Sequence, residues 1–174
     1  MTINSISPTF CGLKDTINAQ RNIGKVKSMI SDSFYTESKK IDKNGSFVVK
    51  GYKPTVPSKE LSPTSLSGFY SPKHEVSPSY VVAYSPKEGL RTQIISPACQ
   101  DVAYIISQKE EDQAPVIDTF YKGTKVNEAG LIEDSNGQET FSPLMNILNK
   151  IDEEKIEVEN AIGRFIPTLN DLKL

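Results

Sequence analysis

Two β-prone runs, Phe34-Tyr35-Thr36 and Phe47-Val48-Val49, flank the tetrapeptide Asp42-Lys43-Asn44-Gly45. Asn-Gly supplies the positive-φ positions that a tight hairpin turn demands, so residues 34–52 predict a β-hairpin. The pattern returns further on. Tyr80–Tyr84 is followed by Ser85-Pro86-Lys87-Glu88-Gly89 and then by Leu90–Ile95. Pro early in the turn and Gly after it suit a type I turn with a bulge, which predicts a second hairpin over 80–95. Strands joined by such short turns can only pair antiparallel. Val116–Tyr121, Lys125-Val126 and Leu131-Ile132 add shorter strands, with turns at 127–130 and 134–137.

Three segments have helical signals. Leu13, Ile17, Ile23, Val26, Met29 and Ile30 fall mainly at three- and four-residue steps, predicting a helix over 13–31. Ser96-Pro97 and Ser142-Pro143 each join a good N-cap to a good first helical residue. The first predicts a central helix to about Glu110, with Val102, Ile105 and Ile106 facing inward. The second predicts a C-terminal helix with the seam Leu144, Leu148, Ile151, Lys155, Val158, Ile162 and Phe165, stopped by Pro167. The expected class is α+β: antiparallel β-hairpins with an N-terminal, a central and a C-terminal helix. Residues 1–12 are expected as a flexible leader. Residues 13–174 are expected as one domain, with a Ser/Pro-rich loop at 53–79. Val49, Val81, Ile105, Ile106, Phe120 and Ile151 are the expected core. Leu, Ile, Val and Phe make up about 26 % of the 174 residues, above the roughly 20 % below which a chain stays disordered.

Composition removes several function classes. The longest apolar run, Tyr80–Tyr84, is far too short to span a membrane. The net charge of -2 argues against nucleic acid as a partner. Cys11 and Cys99 are 88 positions apart, with no CxxC and no metal spacing. No GxxxxGK[ST], GxGxxG or HExxH occurs, and neither a cofactor nor a metal is expected. Glu110-Glu111-Asp112 and Asp152-Glu153-Glu154 lack calcium-loop spacing and read as solvated surface. Cys99, at the start of the expected central helix, is a candidate nucleophile, because a helix N-terminus favours the thiolate. The single histidine, His74, is its candidate base, so a small thiol enzyme is one reading. Lys39-Lys40 forms a small basic patch near Phe34, Tyr35 and Phe47.

Charge is distributed unevenly. Residues 1–60 hold ten Lys and Arg against five Asp and Glu, while residues 111–174 hold six against thirteen. The two halves can attract each other within the fold or face outward to partners. Ser-Pro is also over-represented: it occurs seven times, at Ser7, Ser62, Ser71, Ser77, Ser85, Ser96 and Ser142. Caps and turns account for Ser85, Ser96 and Ser142. Ser62, Ser71 and Ser77, in the Pro-rich loop, are candidate phosphorylation sites.

The first eleven residues carry no charged side chain and are rich in Ser, Thr, Ile and Asn. They have neither the basic n-region nor the apolar h-region of a signal peptide. In this they resemble the leader of bacterial type III secretion effectors. That resemblance implies secretion without a cleaved signal peptide and a host protein or secretion chaperone as partner. The expected function is a non-enzymatic protein–protein interaction protein, possessing an interaction surface on Leu144, Leu148, Ile151, Lys155, Val158 and Ile162. A cytoplasmic accessory or regulatory protein that is never exported is the other alternative. Oligomeric state is not encoded in any of these features.

Overall fold

The computed structural model describes residues 7–30, 34–54, 75, 77–127, 132–133, 139–140, 148–163 and 165–172. Helix α1 spans Ser7–Met29, and strands β1 (Tyr35–Lys40) and β2 (Phe47–Tyr52) follow it. Strands β3 (Tyr80–Ser85), β4 (Gly89–Ile95), β5 (Val102–Gln108), β6 (Val116–Tyr121) and β7 (Thr124–Lys125) come next. Strands β8 (Ile132–Glu133) and β9 (Glu139–Thr140), helix α2 (Leu148–Ala161) and a 3-10 turn at Leu169–Asp171 complete the order. Strands β1 to β7 form one antiparallel sheet in sequence order, while β8 and β9, among the described residues, pair with each other. The chain is therefore α+β and mostly β. The layout differs from separate hairpins, because every strand from β1 to β7 is hydrogen-bonded to the next in one continuous meander.

Helix α1 starts at Ser7, inside the stretch expected as a leader. Pro8 sits in its first turn, where a missing N–H costs nothing. β1 and β2 pair across Asp42–Gly45, where the Asp42 carboxylate accepts the Asn44 N–H at 2.9 Å and Gly45 takes φ 89°. β3 and β4 pair across residues 86–88. There the Ser85 hydroxyl accepts the Glu88 N–H at 3.0 Å.

The expected central helix is a strand. Ser96 caps no helix, although its hydroxyl accepts the Ala98 and Cys99 N–H groups at 3.2 and 3.3 Å. The same bonds close a side-chain turn between strands. After that turn Val102–Gln108 pairs with β4 on one side and β6 on the other. A β-branched and aromatic run flanked by two strands gains more from both ladders than from a helix, which would leave those edges unpaired.

The register sorts the strands into two faces. Phe47, Val49, Tyr80, Val82, Tyr84, Leu90, Thr92, Val102, Tyr104 and Ile106 point to one side and are buried. Over β2–β4 they pack with Ile23, Val26 and Ile30 of α1. Over β5 and β6 they pack with Ile151 of α2. The C-terminal segment lies across both groups, with Ile166 in the second cluster and Leu169 and Leu172 in the first. Burying an aliphatic side chain of this size contributes about 1.5–3 kcal/mol, so the helices are held chiefly by this face.

Of the expected core, Val49, Ile105, Ile106 and Ile151 are buried. Val81 and Phe120 are only half-buried; they belong to the opposite face, as does Ile105, which on the central strand β5 is flanked by β4 and β6. Among the described residues, no helix or further strand packs on that face.

Candidate protein-interaction surface

Strand β1 is an outer edge of the sheet, and its partners are set by an odd–even alternation. The Ile41 N–H donates to the Ser46 carbonyl at 2.9 Å. Counting back by twos, Lys39, Glu37 and Tyr35 turn their backbone groups toward β2. Thr36, Ser38 and Lys40 turn theirs outward. No described strand lies beyond them.

Each side of this edge has a cleft. On the helix side, a cleft of about 290 Å³ is lined by Gln20, Ile23, Gly24 and Lys27 of α1 with Ser38 and Lys40. The Lys40 ammonium donates to the Gln20 side-chain oxygen at 3.0 Å across its mouth. On the opposite side, a cleft of about 430 Å³ is lined by Glu37, Ser38, Lys39, Ile41, Val48 and Lys50. Ile41 and Tyr35 stand exposed beside it, at 56 % and 42 %. Glu37 accepts a bond from the Tyr52 phenol at 3.3 Å. Burial, reinforced by that carboxylate, raises the Tyr52 phenol above its usual range. Both clefts thus carry two lysines and share Ser38.

Strand order resolves the charge asymmetry seen in the sequence. The basic residues Lys27, Lys39, Lys40, Lys43 and Lys50 gather at the β1 end of the sheet. Asp118 is on β6, and α2, which packs over β5 and β6, carries Asp152, Glu153, Glu157 and Glu159, so that this end has an excess of acid over Lys122, Lys125, Lys150 and Lys155. Six strand spacings of about 4.8 Å put roughly 29 Å between the outer strands. That is several Debye lengths at physiological salt, so the two ends do not neutralise one another. The ion pair Lys125–Asp118, at 3.1 Å, lies wholly at the acidic end.

The expected interaction seam on α2 faces the chain's own sheet where it is described. Ile151 is buried, and Val158 and Ile162 pack against the second core cluster. Lys155 is half-buried, as a lysine laying its stem along apolar surface should be. Leu144 lies outside the described residues, and of Leu148 only its place in the helix is described. Phe165, beyond the helix, is exposed at 60 %.

Glu154, read from sequence as solvated, is instead the main polar link between α2 and the sheet. Its carboxylate accepts the Ser96 hydroxyl, the Ala98 N–H at 3.0 Å and the Tyr104 phenol at 3.1 Å. No sequence signal marks it, because its partners are some fifty residues away.

Cys99 is a half-buried free thiol packed against the second core cluster. It lies in the turn before β5 and not at a helix N-terminus, so the argument for an activated thiolate loses its basis. His74 lies outside the described residues, as do Ser62 and Ser71. Ser77 is exposed at a bend two residues before Ser79, whose N–H donates to the Gly51 carbonyl. Among the described residues no helix is long and apolar enough to cross a membrane, and no group of three His, Cys, Asp or Glu is placed to hold a metal ion. No family model matches the sequence, and neither a curated protein nor a solved structure shows significant similarity to it.

Proposed function

We propose that the chain is a protein-interaction protein that engages an acidic region of another protein through the basic β1 end of its sheet, without carrying out a reaction on it. The observation behind this reading is the segregation of charge to opposite ends of a seven-stranded sheet. Lys27, Lys39, Lys40 and Lys50 surround an outer strand there, with Glu37 and Asp42 as the described acids of that hairpin. A surface of this kind draws in partners of opposite charge and discriminates against basic ones. The contact surface is assigned here and not to the α2 seam, because Ile151, Val158 and Ile162 are engaged by the chain's own core.

Affinity capture from bacterial and from host-cell lysates tests the reading, with the wild type and a Lys39→Glu/Lys40→Glu/Lys50→Glu variant side by side. All three side chains are exposed, two on the edge strand β1 and one on β2 beside it. The variant is expected to fold and to lose a partner that the wild type retains at low salt and releases at high salt. Identical retention by both proteins would overturn the assignment. The composition of residues 1–11 favours a secreted effector as the setting for such a binder. Secretion of a reporter fused to residues 1–20 by a type III system is the corresponding test, and a reporter that stays inside the cell overturns that part alone.

A further inference from the structure

We infer that β1 receives an acidic, extended segment of another protein as an eighth strand of the sheet. This rests on the interaction reading above and specifies its mode. Three features of the edge converge on it. Thr36, Ser38 and Lys40 direct their N–H and C=O groups away from β2, the row of donors and acceptors an added strand needs. The two clefts lie on either side of that row and meet at Ser38. Successive side chains of an added strand point to alternate faces, so they enter the two clefts in turn. Main-chain bonds supply affinity in this mode, and the flanking pockets supply selectivity.

The clefts also say which strand. Lys27 and Lys40 line the helix-side cleft, and Lys39 and Lys50 the other, so acidic residues at both alternations are complemented. Ile23 on one side and Ile41 with Val48 on the other leave room for an apolar side chain in each. A second copy is the poorer occupant. Pairing β1 with β1 brings Lys39 and Lys40 of both copies to one seam, with Glu37 as the single acid each β1 strand supplies against them, and an excess of like charge along a strand pair is destabilising. The opposite edge, β7, offers only Thr124 and Lys125, too short and again basic. Lysine on an exposed edge is a known guard against self-pairing, and the same lysines attract an acidic chain.

The test uses the full chain and a fluorescein-labelled peptide of Glu, Val and Thr with Glu at both odd and even positions. Its Lys-for-Glu counterpart and two acidic versions, N-methylated at either the odd or the even residues, complete the set. N-methylation removes donors from the peptide alone, so the protein's folding is untouched. Fluorescence anisotropy is expected to show binding of the acidic peptide and none of the basic one. One N-methylated version is expected to bind about tenfold or more weakly, and the other nearly as well as the parent. The amides of Thr36, Ser38 and Lys40 are expected to gain hydrogen-exchange protection on binding. Charge-dependent binding that tolerates both N-methylated versions overturns strand addition and leaves the interaction reading standing. Equal binding of acidic and basic peptides overturns both. Self-association in sedimentation without peptide, lost in Lys39→Glu/Lys40→Glu, makes a second copy the occupant and overturns the assignment to another protein.

Discussion

The phenol of Tyr104 on β5 donates to the carboxylate of Glu154 on α2 across 3.1 Å, in a site where Tyr104 is fully shielded from solvent. Ser96 and the Ala98 N–H bond to the same carboxylate. One acid therefore holds the helix to the β4–β5 turn and to the middle of β5. Glu154→Leu is expected to leave the Ser96 hydroxyl without this acceptor and the Tyr104 phenol with its longer bond to the Ile151 carbonyl at 3.4 Å, and to cost about 2–4 kcal/mol. Tyr104→Phe removes one donor only and is expected to cost about 1 kcal/mol. Urea denaturation of both single variants and the double variant measures the coupling, and strictly additive losses would contradict a shared network.

Alkaline stability follows from two buried phenols. Desolvation raises Tyr80 and Tyr104 well above their usual value of 10, and the Glu154 carboxylate raises Tyr104 further. The Tyr80 phenol donates to the Phe165 carbonyl at 2.7 Å. A raised folded value means the unfolded chain ionises first. The stability is complete below pH 10 and falls as pH rises above it, by up to about 1.4 kcal/mol per pH unit for each phenol. Absorbance titration near 295 nm should show these two of the seven tyrosines ionising only together with unfolding.

The two faces of α2 should respond differently to the same substitution. Ile151 is buried at 5 % exposure and Ile156 is exposed at 56 %. Ile151→Ala is expected to cost about 2–5 kcal/mol, and Ile151→Asp to unfold the isolated chain. Ile156→Asp is expected to stay within about 0.5 kcal/mol of the wild type. Circular dichroism with thermal melts distinguishes the cases, and a folded Ile151→Asp monomer would return the seam to the role of an external contact.

Gly89 opens β4 at φ 77°, with the Gln108 carbonyl where a side chain would begin. A Cβ there would stand 2.3 Å from that oxygen and 2.7 Å from the Lys109 Cα. Gly89→Ala therefore combines an unfavourable backbone conformation with a backbone clash. A loss of about 2–4 kcal/mol is expected, read as a lowered denaturation midpoint with an unchanged slope.

Turn chemistry is local, and for that reason the sequence alone determines much of the strand pairing. Asn44-Gly45 and Pro86 to Gly89 specify their turns within a few residues, and the alternation of Phe47, Val49 and Tyr80, Val82, Tyr84 specifies which face is apolar. The Ser-Pro step at Ser96 is equally local but ambiguous, since one hydroxyl bonded to two following N–H groups begins a helix or closes a turn. Only strands on both sides of Val102–Gln108 decide for the turn, and those partners are distant in sequence. Glu154 reads as solvated for the same reason: Ser96 and Tyr104 reach it only after α2 has docked. The excess of cations in the first sixty residues and of anions in the last sixty-four is visible in the chain itself. That the two stand at opposite ends of the sheet is a property of strand order. Order also makes β1 an edge, so Lys39 and Lys40, adjacent in sequence, come to line different clefts on its two sides, because consecutive residues of a strand point to opposite faces.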